Sequence, residues 1–300
     1  MDEIEVTLSQ SDISFDIDID AGTGPIGLYR ELEISNGLLR HNTTTSHLLD
    51  FTGVTDIDQY LLYEAYSNNN GISGNVNMKD IIQLSKSYCC YKTFSNCFGL
   101  AGTVDLSNLE TISGYCACQQ MFFGCNRITK VKLQKLKTVS GYNSCSSMFY
   151  NTGITELDLP LLETISDATL NSICYGCGNL IRVNMTKLKT AGYNALYRAF
   201  MNCENLEIVI LSALESVKGV SVCQEMCSGC IKLKELSFPA LKTTSFGSND
   251  SQFRDMCKNI PEITIHFPSN IQEQVSRLIG YNGIFGAISG EILFDLPATE

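Results

Sequence analysis

The stretch Leu180-Ile-Arg-Val-Asn-Met-Thr-Lys-Leu188 decides the fold, because its spacing of apolar residues recurs along most of the chain. Within it, Val183 follows Leu180 after three residues, and Met185 and Leu188 come after Val183. The position of Val183 is filled at intervals of 26 to 28 residues by Leu49, Val76, Val104, Val131, Leu157, Val183, Val209, Leu236 and Ile263. These positions therefore predict about nine rungs of a repeating structure.

A repeat of this length is typical of a solenoid, and a short apolar strand with a further leucine three residues on is its leucine-rich form. In the second half of one repeat, Leu196, Ala199, Phe200 and Cys203 fall on one helical face, so we predict one or two helical turns per rung. The predicted fold class is an α/β leucine-rich-repeat solenoid with short parallel strands.

Residues 1–47 precede the repeats and are predicted to form a β-rich N-terminal cap or attachment module. Apolar residues alternate with polar ones from Ile13 to Ile19, which is the period of a half-buried strand. A second strand is predicted from Leu28 to Ile34, and Asn36-Gly37 is a strong hairpin signal. Such a segment would cover the first rung, whose core is otherwise exposed.

The repeats fill residues 48–268, and residues 269–300 are predicted to form a C-terminal cap. We expect a short helix from Ser269 to Leu278, followed by a strand at Ile292-Leu293-Phe294. The order is therefore an N-terminal cap, a solenoid and a helix-strand cap.

The composition bounds the class of partner. The formal net charge is −11, and the 21 Lys and Arg residues are spread along the repeats, which argues against nucleic acid and an anionic membrane surface as partners. We expect no membrane insertion, since no apolar run approaches about 18 residues. Asp2, Glu3 and Glu5 stand where a secretory signal would be positively charged, so we also expect no export signal.

The fourteen cysteines recur with the repeat, which is typical of residues that face a stacked core. One repeated position is assigned to Cys97, Cys125, Cys177, Cys203, Cys230 and Cys257, and another to Cys90, Cys118 and Cys145. The spacings Cys174-x-x-Cys177 and Cys227-x-x-Cys230 match a four-thiolate zinc site. The two pairs lie two rungs apart, about 10 Å, so buried reduced thiols are the favoured interpretation. We predict no metal and no cofactor.

Two segments carry a resemblance to a known family. Phe122-Phe123-Gly124-Cys125 with Ile128, and Tyr175-Gly176-Cys177-Gly178-Asn179-Leu180 with Val183, resemble the Phe-x-x-Cys-x-x-Leu pattern of BspA-type leucine-rich repeats. That family occurs in bacterial surface proteins and phage structural proteins. The match covers about residues 48–268, departs in its longer period, and lacks the cysteine at Asn151-Thr152-Gly153. The ending, from Ile265 to Leu296, resembles the close of leucine-rich-repeat proteins of gut phages.

Residues suited to catalysis are scarce, and we predict no enzyme and no catalytic residue. His41, His47 and His266 are the three histidines, and none lies in a nucleophile or metal motif. Two surfaces are the better candidates for function. The residue that follows each position equivalent to Val183 should face away from the core. These residues form a row: Asp105, Lys132, Asp158, Asn184, Ile210 and Ser237. A column of aromatic side chains, suited to sugars or to protein partners or else packed within a turn, is predicted at Tyr88, Tyr115, Tyr142 and Tyr193.

Together these features predict a non-catalytic binding or structural protein. The resemblance favours a phage virion or tail-associated protein, assembled in the host cytoplasm, that binds other virion proteins or a host-surface protein or glycan. The alternative is a bacterial adhesin or host-interaction protein, outside the cell or on its surface.

Overall fold

A computed structural model describes residues 51–242 and 251–279 continuously, together with residues 48, 283 and 290–299 and four short strands before residue 42. Two of those strands, Val6–Thr7 and Ser14–Phe15, pair antiparallel. The other two, Leu32–Ser35 and Leu38–His41, form an antiparallel hairpin in which Ser35 pairs with Leu38. The hairpin predicted from Asn36-Gly37 is therefore confirmed. The remainder of residues 1–47 lies outside the described residues. So does Leu49, the first of the predicted positions equivalent to Val183.

The described residues between 51 and 299 form a parallel β-solenoid of leucine-rich repeats with about eight turns, as the repeat predicts. Each turn has three walls, named here the strand wall, the narrow wall and the turn wall. The strand wall consists of Gly74–Asn77, Leu100–Asp105, Arg127–Lys132, Glu156–Asp158, Arg182–Asn184, Ile208–Ile210, Glu235–Ser237, Thr264–Pro268 and Glu291–Leu296. The narrow wall is one parallel sheet of two-residue strands: Gln83–Leu84, Thr111–Ile112, Thr138–Val139, Thr164–Ile165, Thr190–Ala191 and Ser216–Val217.

The strand register confirms most of the predicted positions equivalent to Val183. Val104 pairs with Val76 on one side and with Val131 on the other. Leu157, Val183 and Val209 pair in the same way. The last of these positions was predicted wrongly as Ile263, because Leu236 pairs with Ile265. The final interval is therefore 29 residues, and Ile263 is buried just before its strand begins.

The turn wall corrects the helical part of the prediction. Its eight segments are runs of consecutive turns at residues 59–68, 87–96, 115–124, 142–151, 167–176, 193–202, 222–229 and 251–259. Every fourth residue is left-handed, as at Asn194, Arg198 and Asn202, whose φ values are 51°, 53° and 60°. A right-handed helix requires negative φ throughout, so no helical turn exists there.

The backbone of the turn wall is hydrogen-bonded in two directions. Alternate amides donate to the next turn of the solenoid, as Leu196 N does to Val222 O at 2.9 Å. The amides between them donate three residues back, as Ala199 N does to Leu196 O at 3.1 Å. Both sets of amides are thereby satisfied beside a dry core, which makes the turn wall a third hydrogen-bonded face.

The last left-handed position in each described turn segment is Asn or Gly, the residues that tolerate this conformation best. It is filled by Asn68, Asn96, Gly124, Asn151, Gly176, Asn202, Gly229 and Asn259. From Asn96 onward the two residues alternate, because each Asn side chain lies over the glycine of the next turn. A Cβ atom on Gly124 would lie 2.5 Å from Asn96 Oδ1, and one on Gly229 would lie 2.5 Å from Asn202 Oδ1.

The core is a set of buried ladders that run along the solenoid. The rings of Tyr66, Phe94, Phe122 and Phe149 stack with centroids 5.3 to 5.8 Å apart. Beyond Phe149 the same position is taken by smaller thiols and by Phe200. Continuous stacking of this kind buries apolar surface that a single rung cannot bury alone.

The C-terminal prediction is confirmed in its elements. A 3₁₀ turn at Ser269–Ile271 leads into the helix Gln272–Ile279. The last strand, Glu291–Leu296, pairs in parallel with Thr264–Pro268 and so extends the strand wall. Whether it functions as a cap stays a prediction. No helix in the described part of the chain is both long enough and apolar enough to cross a membrane.

Candidate functional site

The predicted row of outward-facing residues lies on the strand wall, and its members are in register where their strands pair. Asp105 pairs with Lys132, and Asn184 lies between Asp158 and Ile210. All six members of the row are half-buried. They are Asp105, Lys132, Asp158, Asn184, Ile210 and Ser237.

The polar members of the row bind each other along the solenoid. Lys132 Nζ lies 2.6 Å from Asp105 Oδ2. Partial burial would raise the pKa of Asp105, but its hydrogen bonds with Lys132 and Ser107 outweigh this and hold the pKa below its usual value. Asn184 Nδ2 likewise donates to Asp158 Oδ1 at 2.7 Å. A partner would have to break these contacts to use the same polar groups.

The row is apolar at Ile210, between the polar residues Asn184 and Ser237. Ile210 lies beside the exposed side chain of Ile208, and the exposed Ile181 is on the preceding turn. Ile208 and Ile181 are joined by a backbone hydrogen bond of 3.2 Å. The row therefore consists of paired polar residues, an apolar patch at Ile210 and a final polar residue, Ser237.

The tyrosine column is the more continuous surface. The rings of Tyr88 and Tyr115 lie 5.4 Å apart, and those of Tyr115 and Tyr142 lie 5.9 Å apart and nearly parallel. Tyr60 extends the column, since it stacks on Tyr88 at 5.3 Å. Tyr193 does not touch these rings, because Asp167 occupies the equivalent position on the intervening turn. The structure thus joins three of the four predicted tyrosines and leaves the fourth apart.

A second pair of rings widens the column at its N-terminal end. Tyr63 and Tyr91 stack at 4.8 Å, and Tyr91 meets Tyr88 edge to face at 5.6 Å. The ammonium of Lys92 lies 5.0 Å from the centre of the Tyr91 ring. Sequence reasoning missed Tyr60, Tyr63 and Tyr91, although Tyr60 to Tyr88 and Tyr63 to Tyr91 repeat the 28-residue interval seen elsewhere.

The packing within the column changes the acidity of its phenols. Burial, the neighbouring Cys116 thiol and Tyr115 raise the pKa of Tyr88 to about 12. Burial and the nearby Glu64 also raise the pKa of Tyr63. These hydroxyls stay neutral at ordinary pH and can both donate and accept hydrogen bonds.

Comparisons with known proteins give likeness of structure only. No protein-family model matches the chain, and no curated protein matches it. A leucine-rich repeat protein of T. pallidum is 16% identical over 67% of this chain and 86% of its own, with a TM-score of 0.41. A leucine rich cell surface protein of Faecalibacterium prausnitzii is 13% identical over 87% and 92% of the two chains, with a TM-score of 0.28. A leucine-rich repeat protein of Bacteroides ovatus is 14% identical over 93% and 100%, with a TM-score of 0.23.

The cysteines belong to the core. All fourteen are free thiols and buried. Cys97, Cys125, Cys177, Cys203 and Cys230 share one position, from which each Sγ donates to a carbonyl of the preceding turn at 2.9 to 3.0 Å. Cys257 was wrongly assigned to that position, because Cys227 N bonds to Met256 O and so aligns Cys257 with Cys227.

The zinc-like pairs show why spacing alone misleads here. Cys177 and Cys230 direct their thiols at Phe149 O and Phe200 O. Burial raises the pKa of the Cys174 thiol well above its usual value, so a thiolate is disfavoured at that residue. Burial acts in the same direction on Cys177, but hydrogen bonds from Cys174 and Thr152 outweigh it and lower the pKa of Cys177. Among the described residues, no group of three or more His, Cys, Asp or Glu side chains is arranged to hold a metal ion.

Of the three histidines, His266 is the one whose side chain the structure describes. Its Nδ1 lies 2.9 Å from Asp295 Oδ1, and its Nε2 lies 3.9 Å from Glu235 Oε1. The contact between His266 and Asp295 joins the last two strands of the strand wall. His41 lies on a strand whose side chains are not described, and His47 lies outside the described residues.

Proposed function

We propose that this protein is a non-catalytic binding protein that recognises a partner through its tyrosine column, and that it acts as a phage virion or tail-associated protein. Its partners would be other virion proteins or a protein or glycan on the host surface. The strand-wall row from Asp105 to Ser237 is a second, weaker candidate for the contact surface, because its polar groups are already paired.

The continuous run of exposed tyrosine rings is the observation that carries this proposal. Tyr115 and Tyr142 are each 46% exposed although they lie beside a large apolar core. Tyrosine offers a large contact area for the loss of few rotatable bonds on binding. Tyr115 contacts both Tyr88 and Tyr142, so these rings are ordered before a partner arrives, which reduces the entropy cost of association.

The state of the thiols supports a binding role and a reducing site of folding. Burial raises the pKa of Cys125 and Cys223 to about 12, so neither is primed as a nucleophile. Free buried thiols also suit a chain that folds in a cytoplasm, where virion proteins assemble. The resemblance of the Phe122–Cys125 segment to BspA-type repeats agrees with that context.

The N-terminal segment, residues 1–47, is proposed to attach the solenoid to a larger assembly or to cover its first turn. Residues 269–300 are proposed to cover the other end. The alternative to a virion protein is a cell-surface adhesin of a bacterium, which would present the same column from the cell envelope.

The test of context is to follow the native protein during purification. Banding with phage particles in a density gradient supports the virion protein. Recovery with the bacterial envelope from cells that produce no particles would favour the adhesin and refute the virion assignment.

The test of surface uses particles that carry Tyr115→Ala with Tyr142→Ala. We expect host adsorption to fall at least tenfold, because two of the most exposed rings are removed. Tyr150→Ala is the matched control, since Tyr150 stacks between Phe123 and Tyr175 in a separate column. Normal adsorption of the double variant, together with loss on Lys132→Ala, would move the contact surface to the strand wall.

A further inference from the structure

The tyrosine column is interrupted by one turn, and the interruption forms a slot. Tyr115, Tyr142 and Tyr193 each come directly before the first left-handed residue of their segment, which is Cys116, Asn143 or Asn194. Tyr88 differs, because it is itself left-handed and aligns with Cys116. Asp167 precedes Ala168, whose φ is 55°, and therefore stands where the column would have its ring. Tyr142 and Tyr193 flank this turn on either side.

The side chain of Asp167 does not fill the space at ring height. Its Oδ1 accepts a hydrogen bond of 2.9 Å from Tyr193 N. The same oxygen would lie 2.5 Å from a Cβ atom on Gly192, so the carboxylate lies against the backbone of the next turn. The absence of a side chain at Gly192 makes this position possible. One carboxylate oxygen is used in this way, and Asp167 as a whole remains exposed.

On the sides that face the slot, neither flanking tyrosine stacks on another aromatic ring among the residues that the structure describes. Tyr142 stacks on Tyr115, which lies on its N-terminal side, and it is 46% exposed. Tyr193 is 41% exposed and makes no ring contact with any residue in the described part of the chain. Two turns of a hydrogen-bonded solenoid are about 10 Å apart. Tyr142 and Tyr193 therefore stand on the two sides of the slot, and the exposed Asp167 lies on the turn between them.

We propose that this slot binds one pyranose ring of a glycan. This inference rests on the proposed function and names the class of ligand that the tyrosine column recognises. A flat group such as a guanidinium or an aromatic ring contacts both walls only if they are about 7 Å apart, because each contact between carbon atoms spans about 3.5 Å. That distance is shorter than the spacing of about 10 Å between the two turns. A puckered sugar ring is thicker and carries C–H groups on both faces. Its hydroxyls can donate to the carboxylate of Asp167, and the amide side chains of Asn143 and Asn194 follow the two tyrosines in sequence.

Binding is measured by saturation-transfer NMR with the methyl pyranosides of glucose, galactose, mannose and N-acetylglucosamine. We expect ring protons of at least one of these sugars to receive saturation from the protein. A soluble oligosaccharide of that sugar should bind more tightly than the monosaccharide if the source is a polymer, and equally if it is a free sugar. No transfer to any of the four sugars overturns the proposal.

Variants at the slot test its geometry. Tyr142→Ala and Tyr193→Ala should each weaken binding at least tenfold, because each removes one wall. Asp167→Tyr completes the column and closes the slot, so it should abolish sugar binding while the melting temperature stays close to that of the native protein. Tyr150→Ala, in the separate column, should change the dissociation constant less than twofold. Binding by Asp167→Tyr equal to that of the native protein overturns the proposal.

The failure of this inference differs from the failure of the proposed function. If no sugar binds but Tyr115→Ala with Tyr142→Ala still loses host adsorption, the column recognises a protein and only the slot is wrong. If sugar binds at the slot but adsorption is unchanged in that double variant, the column is not the adsorption surface.

Discussion

Replacing Gly124 by alanine should lower the free energy of unfolding by about 2 to 3 kcal/mol. Gly124 has a φ of 75°, where an alanine costs about 1–2 kcal/mol. The new Cβ atom would lie 2.5 Å from Asn96 Oδ1 and would force that side chain away. Asn96 would then lose its hydrogen bond of 3.1 Å to Asn68 Oδ1, a bond worth about 1 kcal/mol.

Thermal melting followed by circular dichroism is the assay, with Gly178→Ala as the matched control. Gly178 lies just beyond a turn segment, two residues after Gly176, which is the equivalent of Gly124; a Cβ atom on Gly178 meets nothing within 4 Å, and its φ is not left-handed. We expect Gly124→Ala to lower the melting temperature by roughly 5 °C or more, and Gly178→Ala to change it little. Asn96→Ala combined with Gly124→Ala should restore part of the loss, because the close contact is removed.

The result that would refute this reasoning has the opposite sign. In a helix, alanine is more stable than glycine by about 1 kcal/mol, so a helical turn segment would be stabilised by Gly124→Ala. A rise in melting temperature would therefore favour helical turns over the left-handed turn wall.

Other consequences of the fold can be measured directly. Leu159→Asp places a charge in a fully buried position and should cost about 4 kcal/mol, whereas Asp158→Ala loses one hydrogen bond worth about 1 kcal/mol; equal melting temperatures would refute the strand register. Thiol titration of the unreduced protein should find almost no reactive cysteine in the native state and fourteen after unfolding, and few free thiols after unfolding would contradict the buried reduced core. Stability should fall as pH rises above about 8.5, because unfolded thiols ionise there while folded Cys125 and Cys223 keep their protons until about 12. The free energy of unfolding should fall by about 2 kcal/mol per thiol by pH 10. The urea midpoint should therefore drop between pH 8 and 10, and the drop should be smaller in Cys125→Ala.

Sequence reasoning located the strands well because their signal is strong and repeated. Val104, Val183 and Val209 alternate with outward-facing residues, and the interval between repeats brings them into register. Reasoning from the same pattern failed for the turn wall. The buried pairs Ala195-Leu196 and Ala199-Phe200 recur every four residues, and over two turns this cannot be told from the helical period of 3.6.

The candidate site was only partly readable for a related reason. Tyr88, Tyr115 and Tyr142 follow the repeat interval, so their column could be predicted. The interruption at Asp167 could not, since that turn segment begins 25 residues after Tyr142 and the direction of the carboxylate depends on Gly192 and Tyr193 N.

The sequence by itself determined the solenoid, the interval of its turns, the inward strand positions and the buried cysteines, because these follow from hydrophobic periodicity along one chain. The tertiary structure alone decided the turn wall, the alternation of Asn96 with Gly124, the position of Ile265 and the slot beside Asp167. Each of these depends on how one turn lies on the next. Hydrogen bonds and close contacts between residues 25 to 30 positions apart choose among local conformations that the local sequence leaves equally open.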